Sequence, residues 1–255
     1  MVNLKAKKII KNIIISITFL LIVGLILLMF IKPNEHNVVS WYIGDANNDG
    51  QNEVLFILEN NERNEEHELY GNQLVICDMK YLNRVRLNNI KNIEILFSVN
   101  LENLKPMKVM TGDINGDGLN EISLCVYKST KFHPELAKRP FFYLLNGDEL
   151  KPVWRGSCLS RPFDDYELFD LDEDGIDEII SIERLQDGKR VLAIYSWQNF
   201  GFIRDGESDA FKEKIKFKTT KKSGDKIKVS KNVFHNYFIN YDDIQNKIFL
   251  NGKEG

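Results

Sequence analysis

The chain has 255 residues, with 34 lysines and arginines against 37 aspartates and glutamates, a formal charge of −3, and 43% apolar residues. A mildly acidic balance argues against a nucleic-acid partner, which calls for a basic surface. The three cysteines, Cys77, Cys125 and Cys158, do not make a disulfide framework, and the apolar share lets a domain of roughly 220 residues bury its own core without one.

Residues 1–11 carry Lys5, Lys7, Lys8 and Lys11 and no acid. Residues 12–31 are uncharged and strongly apolar, bounded by Lys11 and Lys32. About 20 such residues in a helix match the thickness of a bilayer core. The competing reading is a cleaved secretory signal, whose apolar stretch usually runs about 7 to 15 residues before a small-residue cleavage site. This run is longer and ends in leucine, methionine, phenylalanine and isoleucine, so a transmembrane anchor is preferred. The positive-inside rule then places 1–11 in the cytoplasm and, beyond a linker at 32–37, residues 38–255 outside. The expectation is a single-pass protein of the cell membrane. The bias toward isoleucine, asparagine and lysine suggests an AT-rich bacterial genome.

The same acidic phrase then occurs three times. Loop 1 has Asp45, Asn47, Asp49, Gly50 and Glu53; loop 2 has Asp113, Asn115, Asp117, Gly118 and Glu121; loop 3 has Asp170, Asp172, Asp174, Gly175 and Glu178. Oxygen-bearing side chains stand at positions 1, 3, 5 and 9, with glycine at position 6 to let the chain reverse. Hard cations such as calcium take several oxygen ligands at once, and a tight loop can supply alternate side chains. One copy would describe an ordinary solvated turn; three with the same ninth-position glutamate describe a cation loop. An EF-hand is disfavoured because position 12 is Phe56, Leu124 or Ser181, none of them the bidentate acid that motif requires. A dockerin module is disfavoured likewise. The segments leaving the loops (54–58, 122–127, 179–182) are short, apolar and β-rich, as strands buried on both faces should be. Strands are also predicted before them, over 38–43, 107–111 and 166–169.

These strand–loop–strand units resemble the FG-GAP (VCBS-type) repeat family, familiar from the β-propellers of integrin α subunits. The resemblance covers about residues 38–204 and implies a calcium-ligand role for the side chains at positions 1, 3, 5 and 9, with backbone carbonyls from Gln51, Leu119 and Ile176, and up to three Ca2+ ions. The Phe-Gly and Gly-Ala-Pro signatures of the family are not legible. Gly44 and Gly112 precede the first aspartate in two copies, whereas the third has Phe169.

Loop starts lie roughly 60 residues apart, somewhat above other propeller repeats. Two further strands are predicted per unit: 73–78 and 92–99, 141–145 and 150–155, then 190–197 and 201–204. A fourth unit without a metal loop is predicted at 211–219, 226–230, 235–240 and 247–250. The fold expected is all-β, a small propeller of about four blades, three with calcium loops, behind one N-terminal transmembrane helix.

Catalytic patterns are thin. His36, His67, His133 and His235 are dispersed, and no nucleophile elbow or phosphate-cradling glycine loop is present. The chain is therefore not expected to be an enzyme. Trp154, Arg155 and Arg161 could suit a sugar or an acidic group, although a core tryptophan with solvated arginines is the stronger reading. Lys212, Lys214, Lys216 and Lys218, then Lys226 and Lys228, alternate with apolar residues. They predict a hairpin with one basic face, either a protected sheet edge or a contact for anionic polymer or lipid headgroups. Together these readings describe a membrane-anchored, calcium-binding module for adhesion to a protein or surface glycan. The alternatives are an enzyme or enzyme-accessory unit acting on envelope polymer, and a structural scaffold of a membrane complex.

Overall fold

The computed structural model describes residues 14–20, 37–155, 158–218, 228–230, 236–242 and 247–252. The chain divides into two compact units, Met1–Glu35 and His36–Gly255. In the first, residues 14–20 are helical and exposed. Among the described residues no helix is long and apolar enough to cross a membrane. The remainder of the predicted anchor at 12–31 lies outside the described residues. The single-pass placement, with a cytoplasmic N-terminus and an external domain, is accordingly corrected.

The second unit is mostly β. Strands β1 (Val38–Gly44), β2 (Glu53–Arg63), β3 (Leu69–Asp78) and β4 (Ile95–Asn100) form one antiparallel meander. Strands β5 (Pro106–Gly112), β6 (Glu121–Lys128), β7 (Ala137–Asn146) and β8 (Glu149–Trp154) form a second. A third meander, β9 (Phe163–Phe169), β10 (Glu178–Arg184), β11 (Arg190–Gln198) and β12 (Gly201–Ser208), continues into β16 (Lys247–Gly252), β15 (Asn236–Asp242), β14 (Lys228–Ser230) and β13 (Lys216–Phe217).

This last sheet corrects the expected ring of four separate blades. Residues beyond 211 do form strands, but β16 pairs in parallel with β12 through Glu207–Lys247 and Ser208–Ile248, making one eight-stranded sheet. The reason is apolar area. The tail shares its apolar surface with the third meander. It buries Ile215, Val229, Ile239 and Ile248 against Ile180, Ile182, Leu192 and Ile194 of β10 and β11.

The second strand of each meander is apolar on both faces because both faces are covered. In β2, Leu55 and Ile57 join Ile122, Leu124 and Val126 of β6 in one cluster between the first two sheets. Val54 and Phe56 turn the other way, onto the short helix Leu82–Arg86 and its surroundings. Cys125 and Phe142 meet Ile179, Tyr166 and Tyr195 between the second sheet and the third. Leu124 is fully buried, so Leu124→Ala is expected to cost about 2–5 kcal/mol, read as a lowered urea midpoint at unchanged slope.

Candidate metal centre

The three acidic repeats are the loops β1–β2, β5–β6 and β9–β10, and each is closed at its base by the same pairing register. Gly44 faces Glu53, Gly112 faces Glu121, and Phe169 faces Glu178. Inside, the loop folds on its own side chains. Asp45 accepts from the backbone N–H of Asp49 at 3.2 Å and of Gly50 at 2.8 Å. Asp113 accepts from Gly116 and Gly118, both at 2.8 Å. Asp170 accepts from Asp174 and Gly175, both at 3.0 Å. Asn47, Asn115 and Asp172 each accept from the amide of the fifth residue. That fifth aspartate accepts in turn from the amide of Gln51, Leu119 or Ile176 at 2.8, 2.9 and 2.8 Å. Gly50, Gly118 and Gly175 take φ of 85°, 82° and 92°, a left-handed turn that a side chain would oppose.

The ninth residue closes the inner side. Glu53, Glu121 and Glu178 are 5%, 1% and 7% exposed. One oxygen of each accepts the amide of the second loop residue: Ala46 at 2.9 Å, Ile114 at 3.2 Å and Leu171 at 2.9 Å. Burial, then the neighbouring aspartates, raises these carboxyls. Glu53 is raised, Glu121 is pushed up to about 7 and Glu178 to about 8. Asp172 is raised too, by burial and by Asp174 and Asp170. Concentrated, desolvated negative charge of this kind is relieved by a bound cation or a proton.

The oxygen set fits a hard cation. In loop 3, one carboxylate oxygen from each of Asp170, Asp172 and Asp174 lies within 4.8 Å of the others. Two ligands about 2.4 Å from a shared calcium ion would be separated by at most about that distance. Loops 1 and 2 differ through their third residue. The Asn47 amide donates to Asp49 at 3.1 Å, and that of Asn115 donates to Glu121 at 3.1 Å, so an N–H already sits against one acid. Asp172 offers no such donor. The predicted ligand side chains thus lie in the loops or, for Glu53, Glu121 and Glu178, at the start of the strand that follows, and the converged carboxylates are Asp170, Asp172 and Asp174.

The other sequence-predicted patch is taken apart by the fold. Trp154 packs against Phe142 at 6.1 Å and edge-on to Phe202 at 5.2 Å. Arg155 bonds to Tyr143, and Arg161 pairs with buried Glu183 at 3.3 Å and with Glu207 at 2.8 Å. The basic stripe is partly described. Lys212, Lys214, Lys216 and Lys218 are exposed while Ile215 between them is buried. Lys226 lies outside the described residues, and Lys228 is placed in β14.

Sequence reasoning missed an internal charge cluster. Lys108 of β5 donates to Asp165 at 2.9 Å, to Glu167 at 2.6 Å and to the Tyr166 carbonyl at 2.6 Å. Burial works against its charge, but Asp165 and Glu167 outweigh that and raise its pKa. A lone lysine in an apolar strand carries no local sign of partners some 60 residues away.

No protein-family model and no curated protein matches the chain. Among solved structures, it is similar to a candidate 6-phosphogluconolactonase from Bacteroides uniformis at 13% identity, over 84% of this chain and 69% of that one, with a TM-score of 0.38. A likeness at that level carries no argument about fold or activity.

An acid whose pKa is raised by folding holds its proton more tightly in the folded state than in the unfolded one. Folding stability then falls as pH rises from the unfolded value near 4.5 through the folded values of about 7 and 8. Metal-free protein in EDTA is therefore expected to lose urea resistance between about pH 5 and pH 8. Glu178→Gln should flatten that slope, and an unchanged slope in the variant would remove Glu178 as its source.

Proposed function

We propose that the domain is a calcium-stabilised interaction module for a protein or surface glycan, in which Ca2+ holds the three loops closed. The observation that carries the cation reading is the convergence of Asp170, Asp172 and Asp174 above a buried glutamate 7% exposed. Asp170, Asp172, Asp174 and Glu178 supply the oxygens in loop 3, with Asp45, Asn47, Asp49 and Glu53, and Asp113, Asn115, Asp117 and Glu121, in the others. The carbonyls of Gln51, Leu119 and Ile176 would complete each set, as the FG-GAP resemblance implies. When bound, the ion neutralises the acids and locks the connection between the first two strands of each meander. Loop 3, with four ligand carboxylates against three, is the tightest site. Support for partner binding comes from Phe132 and Phe200, 83% and 87% exposed, and from the exposed basic face at 212–218, which suits an anionic polymer.

Melting the full chain in EDTA and across a calcium titration tests the reading. A ligand selective for the folded state adds about 2.7 kcal/mol per site at a hundredfold excess over its dissociation constant. The expected result is a rise in Tm with calcium that magnesium does not reproduce, and that Asp170→Ala reduces more than Asp45→Ala or Asp113→Ala. No shift at millimolar calcium would sink it. Pull-down of isolated glycan in calcium, lost in EDTA, is expected of the binding function; turnover of that glycan would instead indicate an enzyme.

A further inference from the structure

The loops are joined to one another, and the joints fall beside their buried glutamates. Asn48, the fourth residue of loop 1, accepts from the backbone N–H of Asn120 at 2.6 Å and donates to the Asn120 carbonyl at 3.3 Å. Asn120 is the eighth residue of loop 2 and directly precedes Glu121. At the next junction the eighth residue of loop 3, Asp177, donates its backbone N–H to the Asp113 carbonyl at 2.6 Å. Asp177 directly precedes Glu178. Gly116, the fourth residue of loop 2, lies so close to loop 3 that a Cβ there would come within 2.8 Å of Ile176 Cδ1.

The residues before each loop show the same linkage. A Cβ on Gly44 would overlap the Thr111 hydroxyl, and one on Gly112 would overlap the Asp177 carboxylate. Each glycine permits the approach of the sheet that follows. The third copy has Phe169 there, with no further acidic loop to meet, and Phe169 packs instead against the apolar cluster shared with the tail.

From this row of contacts we infer that the three loops take up cations as one coupled array, with loop 2 as the relay; the inference rests on the calcium reading above. Closing loop 1 on a cation fixes Asn48, which holds Asn120 and so the adjoining Glu121 in its binding position. Closing loop 2 fixes Asp113 and Gly116, which hold Asp177 and the adjoining Glu178. Loading one loop therefore lowers the ordering cost of the next, a positive coupling. Charge acts the other way, because a loaded loop attracts its neighbour's cation less. That opposing effect is screened over about 8 Å at physiological salt, whereas hydrogen bonds at 2.6 Å are not.

Isothermal titration of Ca2+ into the full chain at physiological salt tests the coupling through a double-mutant cycle. The proteins are wild type, Asp45→Ala, Asn48→Gly and the double variant. Asn48 has a φ of 62°, a conformation glycine accepts, so Asn48→Gly removes the side-chain bridge without straining the turn, and a melt in EDTA checks that it is folded. Asp45→Ala is expected to weaken calcium binding at the two intact loops about fivefold or more, within the usual range of coupling between sites. In the Asn48→Gly background that dependence is expected to vanish. Two intact loops unaffected by Asp45→Ala, or a dependence that survives Asn48→Gly, would overturn the coupling while leaving the calcium reading intact. Failure of the wild type to take up calcium would overturn both.

Discussion

The structure depends on a carboxylate placed where a carboxylate is costly. Glu53, Glu121 and Glu178 are the first residues of β2, β6 and β10, the most deeply buried strands of their meanders. Each is followed at once by Val54, Ile122 or Ile179, all with no exposed surface. Burying an acid without relief costs several kcal/mol, and the amide hydrogen bonds each glutamate accepts offset part of that. The strand that anchors the core is thus the strand that fixes the loop's inner acid, so loop geometry and core packing cannot vary independently.

That shared strand ties the behaviour of the loops to the stacking of the sheets. Leu55 and Ile57 on one side and Leu124 and Val126 on the other hold the first two sheets together. The loops at one end of those strands are brought close enough for Asn48 to reach Asn120. Away from these loops, two acids of the β2–β3 connection make further links: Glu68 to Lys138 at 2.7 Å, and Glu66 to Arg184 at 2.8 Å. Lys108 joins β5 to β9 from within. Among the described residues no further acidic loop meets the third sheet, and the tail strands pack against its β10 and β11.

The loops and the strands flanking them were legible because their signals are local. Alternating oxygen donors, a glycine at the sixth position and an apolar run are properties of a dozen consecutive residues, and the side chains do fold back on their own amides. The both-face burial of 54–58, 122–127 and 179–182 followed from runs without alternation. The tail was legible only as strands. Its sheet was not, because a parallel pairing of Glu207 with Lys247 depends on which apolar surface lies nearest in space. Trp154 packs among aromatic rings, as the preferred reading of that segment had it, whereas the pairing of Arg161 with Glu183 and Glu207 joins residues far apart in the chain and left no local sign.

The sequence by itself determined that three acidic turns would each be bounded by strands, and which oxygens each turn would contain, since an Asx-stabilised loop is set by residues within bonding reach of one another. Tertiary structure alone decided that strands β13 to β16 would extend the third sheet, that Lys108 would find two acids, and that the turns would touch. The last of these rests on contacts such as Asn48 with Asn120 and Asp113 with Asp177. The partners are about 70 residues apart in the chain, and only the stacking of buried strands brings them within hydrogen-bond distance.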